Sequence, residues 1–323
     1  MELRRELFIK EFSEQLELGE KIMLSGSCFT EHLGERFIQN HFPVLQNPNG
    51  IIFNPVSICK SITSYISNKK YSREDIFFQK EWWTSWEHHT SFSHFDPELL
   101  LQKINQSQQQ AHEFLKSANW LIITLGSAFV YQLENGEVVA NCHKVPADKF
   151  RKKLMTVDDV LTSLDNLLYR LFMFNPGLRI IFTISPVRHL RDGFVENNRS
   201  KAVLVQAVHH LVEKFSRLYY FPAYELIIDD LRDYRFYAED MVHPNYLATD
   251  YVWEKFTEAC ITRSSREIMK EINQVNAAKA HKPFQPDSEA HKLFRKKYLD
   301  KVLVLQEQYP HLDFADDITF FQA

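Results

Sequence analysis

Residues 22–37 read "IMLSGSCFTEHLGERF", and how this stretch is parsed decides the fold. An apolar run, Ile22, Met23 and Leu24, breaks at Gly26-Ser27-Cys28, and a new pattern with Leu33, Phe37 and Ile38 on one face begins at once. A short continuous apolar run suits a strand covered on both faces, and the three- and four-residue spacing after it suits an amphipathic helix. The junction therefore delivers two nucleophile-capable side chains, Ser27 and Cys28, onto the first turn of a helix.

The same pattern recurs along the chain. "WLIITLGS" (120–127) and "LRIIFTIS" (178–185) are further buried strands ending on Gly or Ser, and "YELIIDD" (224–230), after Pro222, reads as a fourth. Between them lie helices. "TVDDVLTSLDNLLYRLFMF" opens on Thr156 as an N-cap, with Asp158 and Asp159 suited to a helix start. "SKAVLVQAVHHLVEKFSRLYY" offers Val205, Val208, Val212 and Phe215 as its inner stripe, and "NYLATDYVWEKFTEAC" offers Ala248, Val252 and Phe256. Such alternation predicts an α/β domain over 20–260 built on a mostly parallel sheet. Two stretches break it. Residues 128–142 read as a hairpin with Asn135-Gly136 as a type I′ turn, and 276–290 read as a polar, proline-containing linker within a helical C-terminal extension, 262–323.

Composition narrows the class. With 45% hydrophobic and 25% charged residues the chain is an ordinary globular protein, and its formal charge of -4 gives no pull toward nucleic acid or an acidic membrane surface. Cys28, Cys59, Cys142 and Cys260 lie far apart, with no metal-binding or redox spacing, and the start "MELRRELFIKEF" is charged rather than signal-like. No run approaches the 18 apolar residues of a membrane span. A reduced, cytoplasmic protein is expected.

In an open parallel sheet, ligands bind beyond the carboxyl ends of the strands. Those ends carry Gly26-Ser27-Cys28, Gly126-Ser127 and Ser185-Pro186-Val187-Arg188, and "YAEDMVHPNYLATDYVWEKF" adds Asp240 and His243 before a helix. Asp-x-x-His across one turn lets the carboxylate orient an imidazole that serves as general base. Each feature also has a plain structural reading: Ser27 as an N-cap, Cys28 as an inert thiol, and Asp240 with His243 as a surface turn. His88, His89 and His94 lack the spacing of a metal site. Arg188 and His189, with Glu196, Asn197, Arg199 and Lys201, either bind a polar or anionic group or form a solvated loop. Trp82, Trp83 and Trp86 either line an acyl or sugar pocket or simply pack.

"GSCFT" after a buried strand resembles the GDSLT block of the SGNH (GDSL-type) hydrolases, and "DMVHPNYLATDY" resembles their last block. "GSCFTEHLGERF", "NPNGIIFNPVSI", "LGSAFVYQLENGEVVANCHKVP", "SPVRHLRDGFVENNRSKA" and "YFPAYELIIDDLRDYRFYAEDMVHPN" together resemble the GSCFA-domain proteins, a bacterial branch of that group, over about residues 20 to 260. The resemblance implies a three-layer α/β/α sandwich with insertions near 65–115 and 128–150. It implies an acyl-ester hydrolase, or an acyltransferase acting on a carbohydrate or other alcohol, with no cofactor and a small-molecule or carbohydrate ester as partner. Cys28 falls on the position of the GDSLT block's nucleophilic serine, Ser27 on that of the same block's aspartate, Asp240 and His243 on the acid and base, and Gly50 on an oxyanion glycine. The block that should supply the oxyanion asparagine reads Gly126-Ser127-Ala128-Phe129, so Asn54 and Asn141, with His143 beside it, are the alternative donors. A catalytically degenerate, ligand-binding protein is the third reading, motivated by Ala128. On helix-dipole grounds Cys28, as a thiolate, is the better nucleophile and Ser27 the second choice.

Overall fold

The computed structural model describes residues 5–322; residues 1–4, where the charged N-terminal stretch begins, and residue 323 lie outside it. Along the chain run β1 (Ile22–Gly26), α1 (Phe29–Gln39), β2 (Val44–Gln46), α2 (Pro55–Ser67), β3 (Phe77–Gln79), β4 (Trp82–Thr84), α3 (Pro97–Ser117) and β5 (Trp120–Leu125). There follow β6 (Phe129–Gln132), β7 (Val138–Val139), β8 (Arg151–Leu154), α4 (Val157–Phe174), β9 (Arg179–Ile184), α5 (Gly193–Lys214), β10 (Leu218–Phe221) and α6 (Ala223–Glu225). The chain ends with α7 (Tyr246–Cys260), α8 (Arg263–Ala280), α9 (Glu289–Gln308) and α10 (Ala315–Gln322).

The central sheet has the order β10-β9-β5-β1-β2 and is parallel throughout. Alternate residues of each strand point to opposite faces, and both faces are covered. Ile22, Leu24, Trp120, Ile122, Ile181 and Phe221 form one core with Phe37 of α1, Phe256 of α7 and Ile272 of α8. Met23, Leu121, Ile123, Ile180 and Phe182 form the other with Ile62 of α2, Leu168 of α4 and Leu204 of α5. The result is the three-layer sandwich expected. A small third core, with Tyr71, Ile76, Phe92, Leu100 and Ile104, lies under the antiparallel β3–β4 hairpin.

Several expected elements differ. The run 224–230 is not a strand. Pro222 has no N–H to donate to a ladder, so the strand lies just before it as β10, and the chain then turns through α6 into a single π-helical segment, Leu226–Leu231, which buries Leu226, Ile227 and Leu231. The stripe of α5 is rotated by one residue: Leu204, Ala207, Val208 and Leu211 face the core, while Val205 and Val212 lie at its margin and Phe215 falls beyond the helix. Ile38 of α1 is exposed. In the 128–142 hairpin, β6 pairs Gln132 with Val138 across a five-residue loop in which Gly136, not Asn135, has positive φ, so the turn is not type I′; β8 then joins the other edge of β6. The linker begins later than expected, because α8 continues to Ala280.

The C-terminal helices share the first core: Met269, Val275, Val302, Leu305, Phe314 and Phe321 are contiguous with Leu16 and Phe37. The N-terminal segment locks them in place. Phe12 N–H donates to Ala259 O, Leu16 N–H to Cys260 O, Thr262 N–H to Leu16 O and Leu18 N–H to Ser265 Oγ. On α10, Asp317 is buried, 2.6 Å from Lys279 Nζ and 3.2 Å from His41 Nε2. Burial would raise the Asp317 carboxyl, but its contacts with His41 and Lys279 outweigh burial and hold it below the usual carboxylate range.

A group depressed in this way stabilises the fold above the carboxyl's unfolded value of about 4, and the contribution is lost as pH falls. Asp317→Asn is expected to lose about 1.5–3 kcal/mol at pH 7. In urea unfolding, the gap between variant and wild type should narrow as pH falls below about 4.

Candidate active site at the carboxyl edge of the sheet

Where β1 ends, the chain is pinned on both sides. Gly26 N–H donates to Asn47 Oδ1 (2.9 Å), Gly26 O accepts from Ile52 N–H, and Ser27 N–H donates to Thr124 O. Gly26 sits at φ +153°, and a Cβ there would lie 2.3 Å from Thr124 O, so only glycine fits between β1 and β5. Cys28 is the N-cap of α1 but makes no side-chain capping bond, which leaves its partly buried sulfur free. Ser27 does not cap the helix either; its Oγ is buried and has no hydrogen-bond partner among the described residues.

The thiol is not the ready thiolate that helix position alone suggested. Burial first, and then the nearby Glu31 carboxylate, raise the Cys28 pKa above its ordinary value; the backbone N–H groups of Phe29 and Cys28 and the charge of Lys201 pull the other way without prevailing. Chemistry at this sulfur therefore needs a base.

Asp240 and His243 are joined as expected. The Asp240 carboxylate accepts from the N–H groups of Val242 (2.9 Å) and His243 (3.0 Å), and its other oxygen lies 2.6 Å from His243 Nδ1. The His243 backbone and ring bonds, and then the Val242 bond, hold the Asp240 pKa at about 2. The carboxylate stays ionised and accepts a hydrogen bond from Nδ1–H, which leaves Nε2 as the basic nitrogen. Both side chains are about half exposed (46% and 50%), and no hydrogen bond joins His243 to Cys28 or Ser27 among the described residues. Arg188 N–H donates to Val242 O (3.2 Å), which fastens this loop to the end of β9.

Between the two halves lies a residue that sequence reasoning treated only as loop polarity. Lys201 is buried on α5, and its Nζ donates to Gly126 O (2.7 Å) and Ser185 O (2.6 Å), carbonyls beyond β5 and β9. Burial draws its ammonium down to about 7, with the Cys28 sulfur opposing that shift. His189 is held at about 4 by burial and by the charges of Lys201 and His243, so it is neutral at physiological pH. Asn197 and Ser200 share the buried face of α5 and bind the same strand ends: Asn197 Oδ1 accepts from His189 N–H, and Ser200 Oγ accepts from Ala128 N–H. The available signal was the stripe of α5. Extended backward from Leu204, it places Lys201 and Asn197 on the core side.

The remaining predicted donors are engaged elsewhere. Gly50 N–H donates to Asn47 O, and Gly50 (φ +77°) packs under His89, where a Cβ would lie 2.3 Å from the His89 Cβ. Asn54 caps α2, accepting from Ser57 N–H and donating to Ser57 Oγ. Ser127 Oγ accepts from Phe129 N–H and pairs with Ser200 Oγ, and Asn141 Oδ1 accepts from His143 N–H. His143 is buried against Thr84 and Ser85 under the β3–β4 hairpin. The Arg188 guanidinium lies over the Tyr237 ring (4.5 Å). Asn47, unnoticed in the sequence, holds Gly26 through Oδ1 and keeps a buried Nδ2 without an acceptor among the described residues. His88, His89 and His94 go to separate partners, Ser85, Ser91 and Asp96. Trp86 stacks on Phe77 and Trp83 lies under Arg73.

Fold and site define an α/β protein whose polar centre sits at the carboxyl edge of a parallel sheet. Residues 21–256 match the GSCFA family and residues 272–323 match the GSCFA domain protein C-terminal domain; the chain belongs to the GSCFA family. No curated protein matches it. Among solved structures it is similar to a carbohydrate esterase family 3 protein from Talaromyces cellulolyticus (9% identity, TM-score 0.36, covering 79% of this chain and 99% of that one). It is also similar to an acetyl esterase mutant with acetate ion (10%, TM-score 0.37, 79% and 99%). A third is an acetyl xylan esterase from the rumen bacterium Butyrivibrio proteoclasticus (10%, TM-score 0.36, 80% and 64%). At these values the likenesses carry no information about substrate. No helix among the described residues is long and apolar enough to cross a membrane.

Gly26→Ala tests the junction. The Cβ clash with Thr124 O and the unfavourable φ are expected to lower stability by about 1–3 kcal/mol. Accessibility of Cys28 to a thiol reagent should change by far more than that of Cys142, since only the former depends on the exit from β1.

Proposed function

We propose that this chain is an acyl-ester hydrolase of the SGNH type, with Cys28 as nucleophile, His243 as general base and Asp240 as its orienting carboxylate. The observation that carries the reading is the Asp240–His243 hydrogen bond, made by a loop tied to β9 at the same sheet edge where β1 delivers Cys28. His243 Nε2 takes the thiol proton, the sulfur attacks the ester carbonyl, and the imidazolium returns the proton to the leaving alcohol. Water then cleaves the thioester with His243 acting again as base, releasing the acid and restoring the thiol. No hydrogen bond joins His243 to Cys28 among the described residues, so this reading requires Nε2 to come within reach of the sulfur when substrate is bound.

The charge of Lys201 opposes, without overcoming, the burial and the Glu31 carboxylate that keep the Cys28 thiol protonated, so formation of the thiolate rests on His243. Backbone N–H groups at Phe29 and Cys28, with Asn47 Nδ2, form the oxyanion site in place of the asparagine that Ala128 replaces. The four unpaired cysteines suit a reducing compartment, and the protein works in the cytoplasm.

The unpartnered Ser27 Oγ supports a serine nucleophile as a second reading. Acyl transfer to a sugar or other alcohol uses the same groups and differs only in the acceptor, and the raised Cys28 thiol is what favours binding without turnover. Peptide-mapped labelling with iodoacetamide and with a fluorophosphonate decides among nucleophiles. Wild type is expected to label fastest at Cys28, and His243→Ala to slow that labelling about 100-fold or more. Labelling at Ser27 transfers the role to serine, and labelling at neither supports the binding reading. Labelled acyl donor with and without an alcohol acceptor separates transfer from hydrolysis.

Two variants probe the supporting groups. Lys201→Met removes the cation, so the pH midpoint of Cys28 alkylation should move upward, while Lys201→Arg should keep it nearer wild type. Asn47→Asp keeps the acceptor that Gly26 needs but removes the donor, and kcat is expected to fall about 10²–10³-fold with little change in KM.

A further inference from the structure

Outside the Cys28 centre, the β3–β4 hairpin and the loop carrying His143 and Lys144 enclose a cavity of about 390 Å³. Its walls include Lys80, Lys144, Trp82, Thr84, Ser93 and His143, and no carboxylate. Neither lysine makes a hydrogen bond or ion pair with any described residue. Trp82 is about half exposed, whereas Trp83 and Trp86 are taken up in packing. The cavity thus offers an aromatic face and two free ammonium groups together.

Its floor is rigid. His143 Nε2 lies 2.8 Å from Ser85 O and must carry the ring proton there, so Nδ1 accepts from the Thr84 hydroxyl at 2.9 Å. Thr84 Oγ1 accepts in turn from Ser93 O–H at 3.0 Å. Burial lowers the His143 pKa, which keeps the ring neutral and consistent with this chain of bonds. The backbone is equally specific. Lys80 (φ 57°), His143 (φ 48°) and Lys144 (φ 57°) are three of the eight non-glycine residues with left-handed φ among those described, and all three line this one cavity. Such backbone is unfavourable for a side chain with a Cβ, and its clustering at one cavity is the kind of outlier that marks a ligand site. Lys80 occupies the two-residue turn between β3 and β4, where glycine or asparagine is the ordinary choice.

We propose that this cavity is a binding subsite for an anionic saccharide, with a sugar ring stacked on Trp82 and its carboxylate or phosphate group held between Lys80 and Lys144. An indole presents a flat apolar face to the C–H side of a sugar ring, hydroxyls at the rim exchange hydrogen bonds with sugar hydroxyls, and paired ammonium groups select charge. The subsite deepens the hydrolase reading, on which it rests for its role, by making the anionic sugar the alcohol portion of the ester. Its placement fits that role: Thr90 of the cavity wall adjoins His89, which covers Gly50 in the loop after β2 and is near enough to feel the charge of Glu31 in the first turn of α1.

The test is calorimetric titration of the full chain with tetragalacturonate, glucose 6-phosphate and neutral xylotetraose. It is made on wild type, Cys28→Ala, Trp82→Ala and a Lys80→Ala/Lys144→Ala double variant. Both lysines are exposed, so their removal leaves the fold intact. At least one anionic probe is expected to bind about 10-fold or more tightly than the neutral one, and the double lysine variant should lose that advantage while its affinity for xylotetraose is unchanged. Trp82→Ala should weaken every saccharide. The uronate and phosphate arms show which anion is taken. Equal binding of charged and neutral probes, indifference to the lysine variant, or no binding by any probe overturns the subsite. Cys28→Ala separates the two ideas: saccharide binding that survives without any esterase activity in wild type leaves the subsite standing and removes the hydrolase, whereas esterase activity without selective binding does the reverse.

Discussion

A parallel sheet leaves carbonyl groups without ladder partners where its strands diverge at the carboxyl edge, and a buried carbonyl without a partner is costly. Here two of them, Gly126 O and Ser185 O, are met by one buried ammonium, that of Lys201. That single arrangement fixes the spacing of β5 and β9 exits, anchors α5 against the sheet, and leaves a cation within electrostatic reach of Cys28. The first residues beyond β5 and β9 are thereby tied to one side chain of α5. The cation also explains why a thiol raised by burial and by Glu31 is not isolated from compensating charge.

The relation between Lys201 and Cys28 is reciprocal. Burial weakens the ammonium and strengthens the proton's hold on the thiol; each ionised form would relieve the other. The Asp240–His243 pair obeys different physics, because it is half exposed and its order comes from short local hydrogen bonds rather than from exclusion of water. One half of the centre is thus set by the core and the other by a surface loop.

This division also explains what could be read from the sequence. Strands β1, β5 and β9 were legible because they are covered on both faces and so are continuously apolar. The Asp240–His243 contact was legible because three-residue spacing is a local constraint. The run 224–230 misled because continuous apolarity does not distinguish a strand from a buried helical turn, and β10 before Pro222 was hidden at the end of what read as a helix. Lys201 stayed hidden because a charged residue at the start of a helix is ordinarily solvated, and only the correct phase of the α5 stripe puts it inside. The engagement of Gly50 and Asn54 with Asn47 and Ser57, and the upward shift of Cys28, depend on which groups the fold brings near. No residue pattern carries that information.

The N-terminal clamp has a consequence for how the chain is made. Leu16 is buried, and its backbone partners, Cys260 and Thr262, stand 244 and 246 residues further along the chain. During synthesis Cys260 follows Leu16 by 244 residues, so the clamp cannot form until α7 has been made. The segment carrying Leu16 therefore docks late, and the apolar face formed by α1, α7 and α8 closes only after α8 has been made. The long loop closure this demands slows folding rather than weakening the finished protein.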